Sequence, residues 1–132
     1  MVTKHTHYYQ PGDWVKFPKG QSRIELIGDT FASVEAMDSV FWELEDEIEP
    51  LPIKGEELKK NGWELKNGVW VLKSTPRLGW DETLKELTIG FFKYPSTIEY
   101  YHQLQHQLHD LGIDEEIVLE TICEKEPDKN VS

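Results

Sequence analysis

The chain has 132 residues, a formal net charge of −11, 38% hydrophobic residues and a single cysteine, Cys123. That length suits one ordinary core, and the acidity leaves no basic stripe to displace phosphate counterions, which disfavours a nucleic-acid partner and favours a basic protein surface or a cation. One cysteine neither staples the chain nor makes a cysteine zinc site, and no apolar run is long enough for a signal peptide or a membrane span, so the expected location is cytoplasmic.

Residues 1–10, MVTKHTHYYQ, read as a flexible polar lead with His5 and His7 at alternate positions. Pro11-Gly12 marks a turn. The segment GDWVKFPKGQSRIELIGD predicts two strands around Pro18-Lys19-Gly20, with Trp14, Val15 and Phe17 in the first and Ile24, Leu26 and Ile27 in the second. This Gly-Asp-hydrophobic-Val opening, followed by a glycine turn and an apolar strand, resembles the start of many small SH3-like barrels.

The β region is expected to run on to residue 53. In FWELEDEIEPLPI, Trp42, Leu44 and Ile48 alternate with Glu43, Glu45, Glu47 and Glu49, the period of a strand with one buried and one wet face. Asp46 interrupts the apolar face, and Pro50 and Pro52 suit an edge or a strand end. The plain reading of the four glutamates is a solvated face that discourages edge pairing. The sharper reading is a row repeating every ~6.7 Å that contacts a cation or mimics phosphates.

KGEELKKN (54–61) predicts a short helix whose early acids and late lysines suit its dipole. In WELKNGVWVL, Asn67-Gly68 predicts a type I′ hairpin that pairs Leu65 with Trp70 and Trp63 with Leu72. STPRLGWDET (74–83) reads as a loop, with Arg77 and Trp80 as a candidate binding lip. LKELTIGFFKY (84–94) reads as a strand with a bulge at Gly90.

The longest helix is expected over about 97–111, with Ser96 and Glu99 at capping-box spacing and Gly112 just past its end. Alternatively, Ile98-Glu99-Tyr100 ends a strand and the helix starts near His102. Tyr101, Leu104, Leu108 and Leu111 share the core face, with His102, His106 and His109 nearly opposite. EEIVLETIC reads as a closing strand carrying Cys123 as a buried, inert thiol, and 124–132 as a disordered tail. The fold class is therefore α+β, a single domain over 11–123 with a β region (11–53) and an α+β region (54–123).

His102 and His106, at i and i+4, can reach one metal such as zinc or nickel, with His109, His5, His7 or Asp110 as a third ligand. No His-Glu-x-x-His pattern accompanies them, so a solvated polar face is the simpler reading. No Gly-x-Ser-x-Gly elbow or glycine-rich phosphate loop is present, and no catalytic residue is nominated.

PLPIKGEELKKNGWEL and IEYYHQLQHQLHDLGIDEEIVL resemble stretches of small, uncharacterised proteins of phage and mobile-element genomes, which end in a Tyr-x-His-x-Leu-Gln helix closed by Gly. The resemblance covers residues 48–120. It implies a compact accessory protein of the host cytoplasm, with the first histidine, His102, anchoring a strand-to-helix corner, and it carries over no activity.

The leading expectation is a non-enzymatic binding protein that modulates a host protein or host defence. It would bind a basic protein, or a small anionic ligand held by Lys73, Arg77, Lys93 and aromatics. The alternatives are a metal-binding protein or metal-dependent enzyme using the histidines, and a structural protein that self-assembles through the glutamate edge or the histidine face.

Overall fold

The computed structural model describes residues 8–124. His5, His7 and nearly all of the expected tail lie outside the described residues. The chain divides into two compact units: the chain up to Leu51 together with that from Glu120, and Pro52–Leu119. Each holds an antiparallel sheet.

The first unit opens with the expected hairpin, β1 (Trp14–Phe17) and β2 (Gly20–Ile27), in register from Trp14 opposite Arg23 to Phe17 opposite Gly20. β3 (Phe31–Val34), β4 (Met37–Glu43) and the short β5 (Glu49–Pro50) complete the strand order β4-β3-β2-β1-β5. Inward side chains of the first three strands, Val15, Phe17, Ile24, Ala32 and Val34, form the core with Tyr9, Leu44 and Ile48. Tyr9 belongs to the stretch expected as a flexible lead, yet it is 7% exposed.

The glutamate strand is not formed as expected. β4 stops at Glu43 and residues 44–47 make a turn. The Glu47 and Ile48 amides donate to the Glu43 carbonyl, and the Glu43 amide donates to Glu47 Oε1 at 2.8 Å. Leu44 and Ile48 are four residues apart, a spacing that a helical turn satisfies as well as a strand does. The turn buries both residues, and the alternation of Leu44 with its acidic neighbours concealed it.

The second unit contains α1 (Gly55–Lys59) and a five-stranded meander: β6 (Trp63–Lys66), β7 (Val69–Leu72), β8 (Thr75–Asp81), β9 (Glu86–Ile89) and β10 (Phe92–Lys93). The β6–β7 hairpin has the expected register, Trp63 opposite Leu72 and Leu65 opposite Trp70, around left-handed Asn67 and Gly68. Trp63, Trp70 and Leu72 are buried, whereas Leu65 is exposed. α1 lies against Trp70 through Gly55, where a Cβ would stand 2.5 Å from the indole nitrogen.

Two further expectations are corrected. Residues 75–81 are a strand, β8, in which Leu78 and Trp80 point inward on either side of Gly79. The proline and glycine of that stretch read as loop chemistry, but Pro76 sits near the strand start, where the missing N–H is tolerated. Residues 84–94 are a tight hairpin, with Gly90 in its turn.

The second helix, α2, spans Tyr101–Asp110, so Ser96 does not cap it. Gln103 Oε1 accepts from the Glu99 and Tyr100 amides at 2.8 and 3.1 Å. The residues before it are extended: the Ile53 amide donates to the Glu99 carbonyl, and Pro52 bridges Tyr100. The chain then runs without regular strand from 113 to 121, and the expected closing strand shrinks to β11 (Ile122–Cys123), paired with β2 in the first unit. No helix among the described residues is long and apolar enough to cross a membrane.

Candidate functional site

The three histidines of α2 do not share a wet face. His102 is only 2% exposed, His106 is half-buried and His109 is exposed in the last turn. The late helix start explains this. Tyr100 is still extended and stacks its ring on His102 with centroids 6.0 Å apart, while the His106 ring meets that of His102 edge-on at 5.7 Å. His102 thus sits at the strand-to-helix corner, buried as are Tyr101, Leu104 and Leu108, while Leu111, assigned to the core face, is 41% exposed. Among the described residues, no group of three or more His, Cys, Asp or Glu side chains is placed to hold a metal ion.

Beside that corner, Tyr101 is fully buried. Its hydroxyl donates to Glu57 Oε1 at 2.7 Å and accepts from the Lys54 amide at 3.2 Å. Burial first, then the bond to Glu57, push this phenol well above its ordinary range. Glu82 binds with both oxygens, accepting from the Trp70 indole N–H and the Gly55 amide at 3.2 Å each. Both carboxylates are engaged at α1: Glu82 and the Tyr101 hydroxyl satisfy the Gly55 and Lys54 amides at its start, and Glu57 fixes Tyr101.

The basic lip also separates. Trp80 is fully buried, its indole N–H donating to the Ile98 carbonyl at 2.8 Å, and Lys85 lies over its ring at 5.4 Å. Lys93 sits 3.2 Å from Glu86. Lys73 lines a cleft of about 540 Å³ with Lys59, Trp63 and Trp70, and Arg77 packs over Gly90. Of the glutamates, Glu43 ends β4, Glu45 and Glu47 lie in the turn, and Glu49 opens β5, so they form no evenly spaced row. Cys123 is half-buried beside Met37 and Val40.

What the structure does present is a pair of aromatics at a hairpin tip. In the β9–β10 hairpin, Gly90 and Phe91 connect Ile89 to Phe92. Gly90 has φ +62°, the conformation a two-residue turn with glycine first requires. Its amide donates to the Arg77 carbonyl at 2.7 Å, which ties the tip to β8. Phe91 is fully exposed and Phe92 is 60% exposed. Two adjacent phenylalanines in water are uncommon on a surface without a partner.

The sequence carried a signal for this tip. Leu87 and Ile89 alternate with polar residues, then Gly90 interrupts and two apolar residues follow in succession. Adjacent strand positions face opposite ways, so the two cannot both enter one core face.

No protein-family model matches this chain, and no curated protein or solved structure is detectably similar to it.

Proposed function

We propose that the protein works by surface recognition, without bond-making chemistry of its own, as a small accessory protein of phage type that binds a protein of the host cytoplasm. The carrying observation is the Phe91–Phe92 pair on the β9–β10 tip. Aromatic anchors on a preorganised scaffold supply much of the energy of protein interfaces, because they bury large area at small entropic cost. The resemblance over residues 48–120 supports the phage setting, and modulation of a host protein or defence system is the role such a setting suggests. A macromolecular partner is favoured over a small anion because Lys73, Arg77 and Lys93 line different places and Lys93 is already near Glu86.

The test is affinity capture from host extract with the wild-type chain and with Phe91→Ser/Phe92→Ser. The wild type should retain one partner in stoichiometric amount, and the double variant should lose it with unchanged melting. A partner kept equally by both proteins removes the tip from the reading. Capture of nothing by the wild type removes the reading itself.

A further inference from the structure

We infer that the outer face of β3 and β4, in the first unit, is a docking surface for a basic peptide segment, whose arginine or lysine side chain enters an open cleft between Phe31 and Phe41. This surface is separate from the hairpin tip and does not depend on it.

The cleft encloses about 440 Å³ and is lined by Gly28, Asp29, Thr30, Phe31 and Phe41. Its two rings are displayed by the strand register. Phe31 is paired with Glu43, and Ala32 with Trp42, so Phe31 and Glu43 face away from buried Ala32. β4 then leaves register: its partners skip from Trp42 to Met37 while β3 advances only from Ala32 to Val34, and Ser39 takes φ +68°. Phe41 lies at this irregular edge, 56% exposed, and lines the cleft together with the 47% exposed Phe31.

Apolar exposure alone does not choose an occupant; the charge does. From Ile24 to Ile53 there are nine Asp and Glu residues and no Lys or Arg. Asp29 lines the cleft and Glu43 ends the strand facing Phe31. The carboxylates already crowd one another, since Asp38 beside Glu25 holds the Glu25 carboxyl above its ordinary range. A cation relieves that repulsion, and an aromatic face with an acidic rim attracts one by its quadrupole as well. A second copy of this chain is a poor occupant, because two copies each carry −11. A bare metal ion is a poor one too, because among the described residues no three donors converge. A flexible basic segment meets both demands: its charge faces the rim, and its methylene stem packs on the rings.

The experiment titrates the full chain with a synthetic peptide of about ten alternating arginines and serines, and with the same peptide carrying citrulline in place of arginine. It is run at about 0.15 M salt, where the Debye length is about 8 Å. Calorimetry gives the affinity, and backbone NMR shifts locate the contact. The arginine peptide should bind, with shifts at Phe31 and Phe41, and the citrulline peptide should not. Phe31→Ser/Phe41→Ser should weaken binding at least about tenfold, as expected for removing an interface anchor. Both rings are exposed, so melting should hold. Asp29→Asn/Glu43→Gln, which keeps the rings, should weaken binding by a smaller factor. Equal affinity in the Phe31→Ser/Phe41→Ser variant would reduce the contact to diffuse charge and overturn the inference. So would equal binding of the citrulline peptide, or no binding of the arginine peptide. Phe91→Ser/Phe92→Ser should bind the arginine peptide as the wild type does, which keeps this result distinct from that of the partner capture.

Discussion

Tyr101 shows how one hydroxyl can hold a helix in place. It bridges the Lys54 amide and the Glu57 carboxylate from inside the second unit, 47 and 44 residues away in sequence. Tyr101→Phe leaves the amide without its acceptor and should cost about 1–3 kcal/mol in denaturant unfolding at neutral pH. The pH dependence has a definite sign. The folded phenol is raised above its ordinary value of about 10, so the unfolded chain gives up this proton first. Its contribution is fully present below about pH 10 and is lost as pH rises beyond it. The stability gap between wild type and Tyr101→Phe should therefore narrow above about pH 10, and a gap constant to higher pH would contradict the buried, neutral phenol. His102 carries a lesson at the same scale. Its spacing with His106 and His109 allowed a metal site, but spacing counts positions on a cylinder and is blind to the ring of Tyr100 folding over one of them.

Among the elements, hairpins whose turns carry their own chemistry were the legible ones. Asn67-Gly68 announced both its turn and its register, because the left-handed conformation at two successive positions leaves one way to pair the flanking strands. Pro18-Lys19-Gly20 likewise marked the turn between β1 and β2, but not their register. Gly90 was legible as an interruption but not as a turn, since a bulge and a tight hairpin both use glycine with positive φ. The distinction is testable. Gly90→Ala forces a Cβ into φ +62° and to within 3.1 Å of the Arg77 guanidinium. It should cost about 1–2 kcal/mol in thermal unfolding, and the partner complex should weaken with it. Unchanged stability would mean that the tip is not built this way. β8 and the turn at 44–47 were illegible for a related reason: each is decided by which neighbour completes its hydrogen bonds, and a local pattern does not name the neighbour.

Over the whole molecule, the acidity that first disfavoured nucleic acid also acts on stability. A charge of −11 repels itself in the compact state, and nine of the 25 acidic residues fall in the tract from Ile24 to Ile53, which itself holds no Lys or Arg, although Arg23 just before it pairs with Glu35 at 3.0 Å. Raising salt from about 20 mM to about 500 mM should screen that repulsion and raise the melting temperature by roughly 2–5 °C. A melting temperature that falls on adding salt would show that attractive ion pairs dominate.

The sequence by itself determined the charge and its uneven distribution, a mixture of antiparallel strands and short helices, the register of the Asn67-Gly68 hairpin, and Leu104 and Leu108 of α2 as core. These follow from local conformational preference and periodicity, which act between residues a few positions apart. Only the tertiary structure decided that His102 turns inward, that Trp80 is buried, that the glutamate row breaks into a turn, and that Phe31, Phe41, Phe91 and Phe92 remain in water. Burial depends on what covers a side chain from elsewhere in the chain. Tyr100 covers His102, and the chain near Ile98 covers Trp80. The four phenylalanines remain exposed.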